Sequence, residues 1–451
     1  MNKKLMVKKS TVVDTFVYIG IFMVVLFFLI GLDYSNSDRL VIVSFIINGS
    51  ILFGLIIWDP YPVSIRKIGY TFAFIFHFMA PMQQYTSKTV FWNYSGMNLN
   101  YSESEYLYAN IILFLSILFF EVGYKSHKKI NKQSVEKNNY FKMSLSSAKA
   151  VTILSIGAII ILGLTGNIAH ASDSESAIVI QLFNILRYIP VASILLLLID
   201  STRRIKTKQI CRSIIWMICI VIYFPLWGSL ARFILLGTYV VFAAFKLRKS
   251  KYKSLLFGGF FLGFCLMFSE TRHMTSFRDI ILNRTINFNH VDFDAHQLLM
   301  ASIKYVNNNH IFYGLNIFSA LFFLLPRSVW KGKAEGTGSI VMKYFGSWQL
   351  NVSTPLVAEL YTAFSIWGVI LGFLLLGKMI YKIDQWSYSY EPIKISLFCL
   401  FTGMTTYILR GSLLASVAFT GGLVVSMFFT FFVCKISVSY THLRAHETEL
   451  H

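Results

Sequence analysis

Acidic residues are scarce in this chain. Asp and Glu number 21 against 41 Lys and Arg, and charged residues of both signs make up only 14% of the 451 positions. A water-soluble domain carries nearer a quarter, so a soluble enzyme is excluded. The five cysteines, Cys211, Cys219, Cys265, Cys399 and Cys434, fall in or beside apolar runs, and no disulfide framework or zinc spacing follows from them. A phosphate-cradling P-loop, HExxH and GxSxG are all missing, which removes the usual soluble ATPase, zinc peptidase and serine hydrolase classes. The energy for any reaction must then come from the substrate.

What is present is apolar: 55% hydrophobic and 16% aromatic residues, with a mean hydropathy of +0.60. The chain reads as an all-α polytopic membrane protein, a single integral membrane domain over 1–436. A span needs about 20 apolar residues. On that basis the runs 13–31, 40–58, 67–83, 105–123, 147–164, 177–199, 213–228, 231–246, 254–269, 356–379, 394–410 and 413–434 predict about twelve transmembrane helices. The run 213–245 is split at Trp227-Gly228-Ser229, because a single helix of that length overshoots a bilayer by several turns. The segment 437–448, SVSYTHLRAHET, breaks the apolar pattern and looks like the translation of a transposase-type sequencing adapter. Residues 437–451 are therefore set apart as a non-native tail.

The net charge of +20 would suggest nucleic acid in a soluble protein, but here the basic residues sit in short turns, so no nucleic-acid partner is expected. They fall around Lys3 to Lys9, Lys125 to Lys142, Arg203 to Arg212 and Lys246 to Lys253, all on one side of the predicted membrane. The alternate loops are almost free of them. Cationic loops stay on the cytoplasmic side, so both termini are expected there. The first apolar run lacks a small-residue cleavage site and reads as a retained helix.

One loop breaks the rule. Residues 270–355 fall on the outer side, yet carry Arg272, Arg278, Arg284, Arg327, Lys331 and Lys333. An anionic substrate handled at that face accounts for the cluster, because the planar guanidinium fork pairs with diphosphate oxygens and stays ionised. Within the loop, 311–325 is apolar but too short to span, and reads as an interfacial or re-entrant helix. Charged residues in or at the outer ends of spans add candidates: Arg187 in mid-helix, Arg232 and Arg410 at outer ends, and Glu359 in the first turn after the loop. For Arg232 and Arg410 the competing reading is snorkelling to headgroups, and for Glu359 a structural hydrogen bond. His273, His290, His296 and His310, with Asp292-Phe293-Asp294, supply metal-ligand types. D-x-D arises easily by chance, and capping or local salt bridges account for it, so neither metal nor cofactor is expected.

The loop has a recognisable order: Phe293-Asp294, Tyr313-Gly314, Leu325-Pro326-Arg327-Ser328-Val329-Trp330 with Lys333 and Gly338, then Ser353-Thr354-Pro355 and Glu359-Leu360-Tyr361 with Phe364 and Gly368. This resembles the Wzy-type oligosaccharide repeat-unit polymerases of bacterial O-antigen and capsule assembly. The resemblance covers about a hundred residues by its motifs, and the rest by hydropathy alone. Lys331 and Ala334 stand where the family commonly has prolines, and Ala358 and Ser365 where it commonly has glycines.

The resemblance implies a GT-C-like, metal-independent membrane glycosyltransferase of the bacterial cytoplasmic (inner) membrane. It would join undecaprenyl-diphosphate-linked oligosaccharides, with a flippase and a chain-length regulator as partners beside the lipid bilayer. The roles that follow are Glu359 first and Asp294 second as base, and Arg327, Arg272 and Arg278 as cations on the leaving diphosphate. Arg232 and Arg410 support them, and Trp330 stacks on a sugar ring. An O-antigen ligase shares this chemistry, while a lipid-linked oligosaccharide flippase or secondary transporter shares the span count.

Overall fold

In the computed structural model, residues 3–59, 63–91, 99–126, 287–325, 327–389 and 391–448 are described, together with isolated positions between 150 and 261. The runs predicted at 147–164, 177–199, 213–228, 231–246 and 254–269 fall almost wholly outside the described residues, as do Arg187, Arg232, Arg272, Arg278, Arg284 and His273.

All regular structure among the described residues is helical. The chain runs through α1 (Lys3–Ile30), α2 (Arg39–Ile57) and α3 (Ile65–Phe74), then a π turn (Ile75–Met79) into α4 (Ala80–Thr86), followed by α5 (Glu103–Ser126). Later come α6 (Ala295–Asn308), α7 (Leu315–Leu321), α8 (Thr337–Tyr344), α9 (Leu356–Gln385), α10 (Pro392–Arg410) and α11 (Leu413–Thr448). Six of these helices are long and apolar enough to cross a membrane: Val13–Ile30, Arg39–Ile57, Glu103–Ser126, Leu356–Gln385, Ile393–Arg410 and Leu413–Val433. This is an all-α membrane protein, and the six coincide with expected runs to within a turn or two. The run 67–83 is helical too, but the π turn interrupts it. The backbone of α11 stays helical through Thr448, past the point where the tail was set apart.

Local chemistry explains where helices begin. Asp38 Oδ1 accepts the amide hydrogens of Leu40 and Val41 at 2.8 and 3.1 Å, and Ser64 Oγ accepts that of Lys67 at 2.9 Å, so each takes up amides left unpaired at a helix start. In lipid, helices associate by close packing rather than by hydrophobic exclusion, which favours small residues at crossings. The pairing of α9 with α5 follows this rule. A Cβ at Gly123 would lie 2.1 Å from the Leu374 carbonyl oxygen, and one at Gly377 would lie 2.2 Å from that of Phe120.

α9 is broken near its start. Phe364 and Ser365 leave helical geometry, Ser365 with φ 54°. The carbonyls freed by the break are taken by the incoming loop, with Phe312 N donating to Thr362 O at 2.8 Å and Gly314 N to Ala363 O at 3.2 Å. Irregular backbone at membrane depth is tolerated when protein satisfies it in this way. Gly314, at φ 80°, must be glycine for a second reason: a Cβ there would sit 2.5 Å from the Phe364 ring.

That docking corrects the helix expected over 311–325. Residues 311–314 are spent on the broken turn, and the helix itself shortens to Leu315–Leu321. The stretch read as loop also holds two further helices, α6 and α8. α6, too short to span, is buried all round from Ala295 to Ile303, with Leu299, Met300 and Ile303 packed into the main core and Leu298 and Ala301 into a smaller one.

At the end of the bundle marked by the C-terminus of α9, Arg66 sits between two carboxylates. Its Nε donates to Glu121 Oε1 at 2.7 Å, and its Nη1 lies 3.4 Å from Asp59 Oδ2. Tyr70 donates to the same Glu121 oxygen, Lys125 pairs with the other at 2.9 Å, and Tyr124 donates to Asp384 at 3.0 Å. The network ties α3, α5 and α9 together. Of these residues only Lys125 stood out in the sequence, as part of a basic loop.

Candidate functional site

At the opposite end, glutamines fasten the segment before α6 to α4. Gln84 Nε2 donates to the carbonyls of Phe288 and Phe293 at 3.0 and 3.1 Å, Gln297 Nε2 donates to Gln84 Oε1 at 3.1 Å, and Phe288 N donates to Gln83 Oε1 at 2.7 Å. A 3-10 turn over Val291–Phe293 then delivers Asp292 and Asp294 into a buried position beside the end of α10.

Arg410 closes α10 and faces both acids, with Nη2 3.5 Å from Asp294 Oδ1 and 3.7 Å from Asp292 Oδ1. Ser353 Oγ donates to Asp294 Oδ1 at 2.5 Å, Thr354 N donates to the Arg410 carbonyl at 3.0 Å, and His290 Nδ1 lies 3.2 Å from Asp292 Oδ2. Arg410 Nε is buried without a hydrogen-bond partner. Two carboxylates thus share one guanidinium in a place largely closed to water. Burial, opposed by Arg410 and Ser353, pushes the Asp294 carboxyl above its ordinary value. A carboxylate whose ordinary value is raised in this way is the stronger proton acceptor when ionised.

Glu359 occupies the next layer. Its Oε1 accepts the amide of Leu413 at 2.8 Å, and its Oε2 accepts Asn316 Nδ2 at 2.9 Å and the Thr337 hydroxyl. Asn316 also donates to the Glu359 carbonyl at 3.0 Å. The side chain is 1% exposed, and both oxygens are occupied. Glu359 therefore joins α7, α8, α9 and the first residue of α11, so the hydrogen-bonding alternative describes its surroundings. Asn316 and Thr337, its two side-chain donors, were not singled out in the sequence. The only hint was that both are polar residues in otherwise packable positions.

The remaining described candidates sit elsewhere. Arg327 is exposed and donates to the Ala334 carbonyl at 3.3 Å, while Trp330 meets Phe322 edge-on with ring centroids 6.5 Å apart. No hydrogen bond or ion pair connects either of them to Asp294, Glu359 or Arg410 among the described residues. The Arg410 guanidinium, for its part, is engaged by the Asp292 and Asp294 carboxylates, unlike a side chain that snorkels to headgroups. The structure thus brings Asp294, Arg410 and Glu359 to one end of the bundle, and leaves Arg327 and Trp330 on a neighbouring hairpin.

Behind Asp294 lies a pair of histidines. His77, on the π turn, faces His296 with the two Nδ1 atoms 3.4 Å apart, inside an aromatic shell that includes Phe45 and Tyr106. Burial pushes His296 well below the usual imidazole range, which keeps it neutral. His77 was hidden in the sequence inside an apolar run. A π turn often marks a functional position in a helix, and here it turns a polar ring inward.

No family model matches the chain, and neither a curated protein nor a solved structure matches it.

Proposed function

We propose that this protein is a membrane glycosyltransferase, a Wzy-type polymerase that joins undecaprenyl-diphosphate-linked oligosaccharide repeat units into O-antigen or capsular polysaccharide. In this reading it has about twelve spans in a GT-C-like arrangement. It lies in a bacterial cytoplasmic membrane with both termini inside, and Arg410 marks the outer face. The single observation that carries the reading is that separate motifs of the resemblance meet at one end of the bundle. Phe293-Asp294 touches Ser353-Thr354-Pro355 through the 2.5 Å bond, and Tyr313-Gly314 docks on the turn that follows Glu359.

Polymerisation needs a base near the acceptor hydroxyl, cations on the leaving group and two lipid-anchored reactants in line. Of the two carboxylates, Asp294 suits the base better, since both Glu359 oxygens are occupied by fixed donors. Asp294 takes the proton of the acceptor hydroxyl as its oxygen bonds to the anomeric carbon with inversion. The bond from that carbon to the phosphate oxygen breaks, and its electron pair leaves on undecaprenyl diphosphate. Arg410 positions Asp294. Arg327, Arg272 and Arg278 are assigned to the diphosphate, with Arg232 in support, and Trp330 to a sugar ring. Glu359 holds the hairpin of α7 to the bundle.

Reconstitution in vesicles with a diphosphate-linked repeat unit tests the reading. A ladder of longer glycans that Asp294→Asn strongly weakens is the expected result. Movement of the lipid across the vesicle without elongation would assign a flippase instead.

A further inference from the structure

The hairpin formed by α7 and the turns after it is apolar and basic. From Leu315 to Ala334 there is no acidic residue, while Arg327, Lys331 and Lys333 supply three cations. One edge is apolar and bare: Leu321, Phe322 and Val329 are 62%, 53% and 72% exposed, and Leu324 and Leu325 lie beside them in the open. The hairpin packs against α11, a membrane span, where a Cβ at Gly421 would meet the Phe323 ring at 2.6 Å. Its bare edge therefore adjoins a helix whose own free side carries Phe428, Phe429 and Phe432.

Lys333 supplies the second observation. A helix end leaves carbonyls unpaired, and such groups oppose entry into lipid. In the turn after α7 the Lys333 ammonium donates to three carbonyls, Phe323 O at 3.0 Å, Leu325 O at 2.8 Å and, at 3.1 Å, Phe322 O, which also accepts the Leu325 amide. Arg327 closes the base of the same hairpin on the Ala334 carbonyl at 3.3 Å. The apolar turn thus has carbonyls covered from inside the protein, and the cations stand at its rim.

We propose that residues 315–334 form a wedge seated in the phospholipid leaflet at the Arg410 end of the bundle, with Phe322, Leu324 and Val329 among the acyl chains and Lys331 at an anionic phosphate headgroup. Apolar bulk flanked by cations is the pattern of interfacial segments, and a lysine beside an anionic surface adds electrostatic attraction that weakens with salt. The ligand is the bulk phospholipid, not the lipid-linked sugar, and the proposal stands apart from the polymerase reading.

The test uses the full chain in phosphatidylglycerol nanodiscs that contain no polyprenyl lipid. One phospholipid carries a diazirine in mid-chain and another carries it on the headgroup, and adducts are mapped by mass spectrometry after illumination. The expected result is mid-chain adducts on Phe322, Leu324 or Val329, with headgroup adducts near Lys331 that fall severalfold in Lys331→Glu. Lys333→Met, which uncovers the carbonyls, should lower mid-chain labelling of the turn severalfold while leaving labelling of α11 unchanged. If 315–334 takes up only a water-borne carbene label and no mid-chain adduct, the wedge is overturned. If Lys331→Glu leaves headgroup labelling intact, the headgroup contact is overturned. Glycan elongation is not read in any arm, so failure here leaves the polymerase reading to its own experiment.

Discussion

Ser353 reaches across 59 residues of chain to place its hydroxyl 2.5 Å from Asp294 Oδ1. The bond joins the segment entering α6 to the segment entering α9. It fixes one of the two carboxylates that face Arg410, so Asp294 is held by a hydroxyl and a guanidinium in a nearly dry setting.

Asp294→Asn is expected to reduce chain elongation by about 10²–10⁴-fold, the usual worth of a positioned base, while Asp292 still faces Arg410. A base must be ionised to work, and burial raises the Asp294 carboxyl above its ordinary value. Elongation in wild type should therefore fall as pH drops through a limb lying above the usual carboxylate range of about 4. Residual activity in the Asn variant should lack that limb. A pH profile of initial rates in vesicles reads both.

Glu359→Ala is expected to weaken the fold rather than the chemistry alone. It leaves Asn316, Thr337 and the Leu413 amide facing a void, and an unpaired buried donor costs about 1–3 kcal/mol. Glu359→Gln keeps one acceptor and should lose less. Thermal unfolding in detergent, followed by helical circular dichroism, ranks the two.

At the far end of the bundle, Arg66→Met would leave Glu121 and Asp59 buried without their guanidinium, a loss of about 3–5 kcal/mol. Adding Glu121→Gln to the same chain should recover part of it, because the uncompensated charge is removed. A double-mutant cycle of unfolding free energies measures the coupling.

Gly377→Ala tests the helix crossing. The added methyl group would fall 2.2 Å from the Phe120 carbonyl oxygen, so α5 and α9 must separate at a cost of about 1–3 kcal/mol. Gly259→Ala, where nothing stands within 4 Å, serves as the matched control.

The described spans were legible in the sequence because bilayer thickness sets a length that apolar runs must meet. The contents of 270–355 were less so. α6 and α8 are amphipathic and below spanning length, and α7 is shortened by a docking turn whose purpose depends on a break in α9, a tertiary event. Of the site, Asp294, Glu359 and Arg410 could be singled out, since charge is costly near a membrane. What each one touches could not be read, because Arg410 meets Asp294 across 116 residues and Glu359 meets Leu413 across 54. His77 and Arg66 were passed over for the opposite reason: both lie in or beside apolar stretches where hydropathy averages them away.

The most direct measurement counts undecaprenyl diphosphate released by the purified, reconstituted protein against glycosidic linkages formed from a lipid-linked repeat unit. The account predicts one diphosphate lipid released per linkage, with both falling together in Asp294→Asn. Linkages formed without release, or no linkages from a folded protein supplied with repeat units of several compositions, would contradict it.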